Sequence, residues 1–339
     1  MKPPPLMLNA PETQSVLSMV LRELHGADAR LQNWTACPAS KRGKHRTVRY
    51  DLEAQVAGEP RVRKYQWAGK FYERDEDARK LAAILRELGA ANGCASGGLV
   101  IPSVLAYHAP LRLLLLNYEP GQTVVSALAQ HNGLVLAAIG RGLAALHAAP
   151  VTHAGTTSPA DLLCGLRKKV AQLCARFPSQ GDLLRGTLNQ LEREAPAGPA
   201  SLSFLHGDLG PVQLLWSSKG GGRLVVLDFD KCARGDPALD LGNLLTQLRR
   251  LTLRKPGKLG DFAALRQGLL EAYQRWSPPD PGLTERVAWY EQMTLLRKIR
   301  FLASNTGRHP DAEALQRRQA EAVQLLNELA EECNAGRMR

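Results

Sequence analysis

Two short apolar runs, Val212 to Trp216 and Leu224 to Leu227, flank the polar, glycine-rich stretch Ser217 to Gly222. Runs of this length around such a break predict two strands joined by a hairpin turn. This element constrains the chain most, because chemistry-bearing side chains crowd both of its ends. His206-Gly207-Asp208 precedes it, Gln213 lies in its first run, Asp228-Phe229-Asp230 closes its second, and Gly235-Asp236-Pro237 and Asp240 follow. Counted outward from Gly220-Gly221, Gln213 and Asp228 fall at matching positions. A regular hairpin therefore sets these two side chains opposite each other, about 5 Å apart, where an amide oxygen and a carboxylate can share one cation.

Asp208 stands in the loop that feeds the hairpin and can reach the same patch. One candidate base beside two hard oxygen donors suits magnesium, which takes only one or two protein groups and completes its shell with water and phosphate. That is the chemistry of phosphoryl transfer, where an Asp orients the attacking hydroxyl and metal ions neutralise the phosphates.

The ordered set His206-Gly207-Asp208, Gln213, Asp228-Phe229-Asp230 and Gly235-Asp236-Pro237-Ala238-Leu239-Asp240 resembles the catalytic core of the aminoglycoside phosphotransferase and choline kinase superfamily. The resemblance implies an α+β fold like that of protein kinases, with a small β-rich lobe holding one main helix and a larger, mostly helical lobe. It implies that Asp208 is the catalytic base and Asp228 a magnesium ligand. The family's second ligand is usually Asn; here Gln213 stands in its place, one methylene longer with the same oxygen donor. His206 is read as orienting backbone, and Asp236 and Asp240 as holding the following loop. No arginine follows the loop histidine and no A-P-E segment is present, which separates the chain from protein kinases.

A phosphotransferase needs a nucleotide lobe upstream. Val48, Tyr50, Leu52, Ala54 and Val56 alternate with polar residues and predict a half-buried strand. A second, aromatic-rich strand runs from Arg61 to Glu73 and carries Ala68 and Lys70 on one face. By analogy with kinase-like lobes, Lys70 is the nucleotide lysine, with Lys64 on the same face as its competitor. A helix over Arg74 to Leu88 should supply the lysine's acidic partner, and Glu76, Asp77 and Glu87 remain open for that role. The basic turn Ser40 to Lys44 lacks a repeated glycine pattern, so it reads equally as a phosphate contact or a solvated loop.

Leu111 to Leu116 predicts a buried strand running into Asn117-Tyr118-Glu119, which Pro120-Gly121 ends. In the resembling fold these three residues form the hinge whose backbone meets the adenine edge. The nucleotide lobe is thus placed at 1–118, beginning with a helical extension, and the catalytic and substrate lobe at 119–339. Leu134 to His147, Glu285 to Ser304 and Ala312 to Cys333 have helical spacing, and in the resembling family late helices such as that containing Trp289, Tyr290 and Arg297 build the acceptor site.

The chain has 339 residues, 44% of them hydrophobic, enough for two lobes. No apolar stretch approaches the roughly 20 residues of a membrane span, the N terminus lacks a secretory apolar core, and the six scattered cysteines form no C-x-x-C pair. A cytoplasmic protein without a membrane partner is expected. The net charge of +12 favours anionic ligands such as nucleotides. Nucleic acid is disfavoured as a partner, because no recognition motif accompanies the basic clusters at 249–258 and 297–300. The expected activity is transfer of the γ-phosphate of ATP or GTP, with Mg2+, to a hydroxyl of a small molecule whose identity stays open. The alternative is a nucleotide-binding regulator that has lost transfer.

Overall fold

The computed structural model describes residues 11–40, 46–91, 98–197, 202–218, 222–255, 257–304 and 312–337. Its contacts divide the chain into two compact units. The first comprises Met1–Gly121 with two short returns, Pro150–His153 and Val225–Asp230; the second comprises Gln122–Ala149, Ala154–Leu224 and Lys231–Arg339.

The first unit contains α1 (Pro11–His25), β1 (Arg30–Ser40), β2 (Arg46–Gln55), β3 (Arg63–Phe71), α2 (Asp75–Ala90), β4 (Leu99–Val100), β5 (Val104–His108) and β6 (Leu113–Asn117). Five strands form an antiparallel sheet in the order β1-β2-β3-β6-β5. The period of two read in β2 is real: Val48, Tyr50, Leu52 and Ala54 are buried, and Val16, Leu17, Val20 and Leu21 of α1 join them in one core. Burying such side chains contributes about 1.5–3 kcal/mol each. Strand β1 was not expected, because its residues alternate poorly and include Pro38. As the terminal strand of the sheet it tolerates proline, whose missing N–H costs no ladder bond on an open edge. Residues 41–45, the basic turn after Ser40, lie outside the described residues.

The second unit contains β7 (Gln122–Thr123), α3 (Val124–His147), α4 (Pro159–Arg176), α5 (Gly181–Arg193), β8 (Ser203–Leu205), β9 (Leu214–Ser217), the start of β10 (Arg223–Val226), β11 (Ala233–Gly235), α6 (Ala238–Arg254), α7 (Phe262–Gln274), α8 (Leu283–Ala303) and α9 (Ala312–Arg337). The helix expected from Leu134 begins ten residues earlier, since the merged α3 continues through a non-helical His131. Helices α6 and α8 approach so closely that a Cβ at Gly242 would lie 2.7 Å from Cβ of Tyr290. Two arginines of the basic run of α6 are paired within this unit: Arg249 with Glu328 and Glu332, and Arg250 with Glu321, all on α9.

The hairpin is shorter than expected. Pro211 opens a 3-10 turn over Pro211–Gln213, so Val212 and Gln213 precede β9, and Leu227 and Asp228 lie beyond β10. Proline starts such a turn readily because its φ is preset and its absent N–H is not needed there. Neither Gln213 nor Asp228 is thus a strand residue, and ladder pairing does not set their spacing. Lys219, Gly220 and Gly221 lie outside the described residues.

Within the first unit, Glu87 of α2 holds the return segment. Its carboxylate accepts from the Thr152 hydroxyl at 2.6 Å, from the amides of Thr152 and His153 at 3.1 and 3.2 Å, and meets His153 Nδ1 at 2.8 Å. Partial desolvation pushes this carboxyl up, but the hydroxyl, imidazole and amide hydrogen bonds outweigh it and lower the pKa from 4.5 to about 2. A depressed carboxylate pKa stabilises the fold above the unfolded value, and that stabilisation is lost as pH falls from about 4.5 towards 2. Chemical denaturation across pH should show Glu87→Gln about 1–2 kcal/mol less stable at pH 7, with the difference from the native chain closing below pH 4.

Candidate active site

Two clusters of functional side chains stand out, one within each unit. In the first unit, β3 carries Lys70, only 8% exposed. A buried ammonium requires counter-charge, and Lys70 Nζ donates to Asp228 Oδ1 at 2.6 Å and to Asp230 Oδ2 at 2.7 Å. Tyr72, two residues on, donates its hydroxyl to Asp230 Oδ1 at 2.7 Å. Asp228 adopts φ of +70°, a left-handed conformation that Asp tolerates better than most residues.

Burial lowers the Lys70 pKa, but Asp230 and Asp228 raise it more and keep the ammonium charged. Burial and the adjacent Asp228 carboxyl raise Asp230 against the pull of Lys70. Burial and Asp230 raise the Tyr72 hydroxyl too, so it stays a donor. With both carboxylates ionised the cluster carries one negative charge in excess, and the Asp228 side chain is 51% exposed. An acid so placed can ligate a further cation.

Among the described residues Lys70 pairs with none of Glu76, Asp77 and Glu87 of α2. Asp77 is bound by Arg74, Glu87 by Thr152 and His153, and Lys70 turns instead to Asp228 and Asp230. The competitor Lys64 lies 3.3 Å from Glu53 with its side chain 81% exposed. Asn117 ends β6 opposite Trp67. The Asn117 amide donates to Ser103 O and the Tyr118 amide to Gln66 O, while the Asn117 side chain donates to Glu119 Oε1 at 2.8 Å. The amide donors of residues 117 and 118 are therefore already engaged.

In the second unit, β8 pairs with β11 and delivers the chain into His206-Gly207-Asp208. Asp240, in the first turn of α6, is fully buried. It accepts from the His206 amide at 2.6 Å and the Gly207 amide at 2.9 Å, and lies 3.4 Å from His147 Nε2. His147 Nδ1 in turn meets the Tyr273 hydroxyl at 2.8 Å. Burial would raise the Asp240 pKa, but His147 and His206 hold it below the usual carboxylate range. Gly207 has φ of +82°, and an added Cβ would overlap the Lys231 carbonyl oxygen. Its own carbonyl faces Asn243 Nδ2 at 3.5 Å, and Thr294 of α8 donates to Asn243 Oδ1 at 2.8 Å. The Asp208 amide reaches His206 Nδ1 at 3.4 Å. This framework fixes the backbone around Asp208 and leaves its side chain exposed. Asp236, beyond β11, accepts from Arg286, which also grips Asp280.

Gln213 supplies the test of a cation site. Its Oε1 is buried with no hydrogen-bond partner among the described residues, an arrangement that costs about 1–3 kcal/mol unless something satisfies it. Gly210 leaves space there, since a Cβ would come 3.1 Å from that oxygen. An amide oxygen lacking a donor is a hard oxygen of the type magnesium takes.

Residues 55–290 match the family model described as "Phosphotransferase enzyme family". The chain belongs to the phosphotransferase enzyme family. The match spans over two thirds of the 339 residues and takes in both clusters apart from Thr294. Among solved structures, macrolide 2'-phosphotransferase MphH from Brachybacterium faecium shares 20% identity at a TM-score of 0.54, covering 91% of this chain and 98% of that one. Choline kinase LicA from Streptococcus pneumoniae shares 13% at 0.56, with coverages of 94% and 99%. The GDP complex of aminoglycoside 2'-phosphotransferase-IIIa shares 16% at 0.58, with coverages of 94% and 98%. These likenesses show the kinase-like fold of the family. No match emerges among curated protein sequences.

Sequence reasoning passed over Asp230 and Tyr72 as site members. Both had a signal: each lies two positions from a chosen residue, Asp228 or Lys70, and so can share its side in extended chain. Asn243 and Thr294 had none, because their role arises from packing between α6 and α8. Asp240→Asn sets an amide N–H group against a backbone N–H. It should lower stability by about 2–4 kcal/mol in urea denaturation, while Asp280→Asn, on a partly buried ion pair with Arg286, should cost less, about 1–2 kcal/mol.

Proposed function

We propose that this phosphotransferase moves the γ-phosphoryl group of ATP or GTP to a hydroxyl of a small molecule. The carrying observation is the buried Lys70 with its ammonium bound to Asp228 and Asp230. A lysine so charged and fixed is built to meet nucleotide phosphate, and the acids beside it to meet a cation. Asp208, exposed on a rigid loop, receives the proton of the acceptor hydroxyl. The acceptor oxygen forms its bond to the γ-phosphorus as the bond from that phosphorus to the β–γ bridging oxygen breaks, and the nucleoside diphosphate leaves. Gln213 and Asp228 are the residues that would hold magnesium. That ion, when bound, neutralises phosphate charge. The segment Asn117-Tyr118-Glu119 is assigned to the adenine or guanine edge.

The neighbours support this reading in kind: their names record a macrolide, an aminoglycoside and choline as acceptors of related enzymes, and GDP as a bound nucleotide. Among the described residues no helix is long and apolar enough to cross a membrane.

Asp208→Asn should lower kcat by about 10²- to 10⁴-fold while nucleotide affinity, measured by calorimetry, stays within about twofold. Lys70→Met should weaken nucleotide binding at least about tenfold. Full turnover by Asp208→Asn would remove Asp208 from the role of base.

A further inference from the structure

The helix that helps to fix the catalytic loop also presents a cation beside it. Thr294 of α8 binds Asn243, which meets the Gly207 carbonyl. Lys298 lies one turn further along the same face of α8. It is half-buried, and among the described residues it makes no hydrogen bond or ion pair. It stands close enough to Asp208 for the two charges to interact, with Arg250 and Arg297 also in range. Arg250 is already paired with Glu321 and Gln247, so its charge is answered. Among the described residues Lys298 is answered only by the Asp208 carboxylate, which must also serve the acceptor. A half-buried ammonium without its own counter-ion is an incomplete site. Its desolvation, together with Arg250 and Arg297, holds its pKa below the usual lysine value despite Asp208.

We infer that the acceptor of this enzyme carries an anionic group, a carboxylate or a phosphate, a few bonds from the hydroxyl that is phosphorylated, and that Lys298 binds it. The inference rests on Asp208 being the base and adds the class of substrate. An acceptor reaching Asp208 with its hydroxyl brings its adjacent groups past Lys298. A polycation or a choline-like headgroup would meet like charge there, whereas an acid completes the lysine's coordination. Lys298 thus sets specificity by charge and takes no part in the bond exchange.

The test compares alcohols of matched carbon skeleton in four arms: hydroxy acids, phosphorylated alcohols, neutral polyols and amino alcohols. Each is incubated with the full chain, magnesium and ATP or GTP, and products are read by mass. Turnover should be confined to the acidic arms, and the arm used identifies carboxylate or phosphate. With the best acceptor, Lys298→Met should raise the acceptor KM by about tenfold to hundredfold with nucleotide KM unchanged, and Lys298→Arg should recover part of the loss. No turnover in the acidic arms, turnover centred on neutral or amino alcohols, or an unchanged acceptor KM in Lys298→Met overturns the inference. A fall in kcat alone would assign the lysine to the transferred phosphoryl group and overturn it likewise. Asp208→Asn in parallel separates the two claims: if a neutral alcohol is used and Asp208 is still required, only the acidic acceptor fails.

Discussion

A carboxylate shut away from water is stable only where donors replace its hydration, and Asp240 is such a group. By drawing the amides of His206 and Gly207 and the ring of His147 onto itself, it ties the first turn of α6 to the end of α3 and to the loop before Asp208. The left-handed Gly207 lets that loop turn against the Lys231 carbonyl. The exposed Asp208 is therefore an acid on a rigid support. Catalysis by positioning needs this combination of a free side chain and a fixed backbone.

The first unit uses buried charge for a different end. Lys70 could not stay charged beneath the sheet without Asp228 and Asp230, and the two acids would repel each other without Lys70. Each member keeps the others in place, and the excess of negative charge favours a further cation. The Tyr72 hydroxyl on Asp230 directs that residue towards a supporting role and leaves Asp228 as the more exposed acid. In the second unit, Gln213 Oε1 is buried with no hydrogen-bond partner among the described residues.

Much of this was legible in sequence because it depends on short-range spacing. The period of two in β2 follows from strand alternation, Lys70 was preferred to Lys64 by analogy with kinase-like lobes, and the order of the acidic motifs implied the family. What failed did so for physical reasons. The hairpin register could not place Gln213, because Pro211 diverts that residue into a 3-10 turn. Strand β1 lacked a clean period because an edge strand tolerates proline and polar faces. The neutralisation of Arg249 and Arg250 by α9, and the interaction of Lys298 with Asp208, arise between elements distant in sequence. Local patterns do not encode such contacts.

Transfer of an intact phosphoryl group from nucleotide to alcohol is the central claim to test. The most direct measurement uses nucleotide labelled with 18O on the terminal phosphoryl group, together with magnesium, the full chain and a mixture of hydroxylated small molecules. The account predicts a phosphorylated alcohol that carries the labelled phosphoryl oxygens and keeps its own unlabelled bridging oxygen, with nucleoside diphosphate formed in equal amount. Nucleotide that binds but is never consumed, or label recovered only in inorganic phosphate, would contradict it.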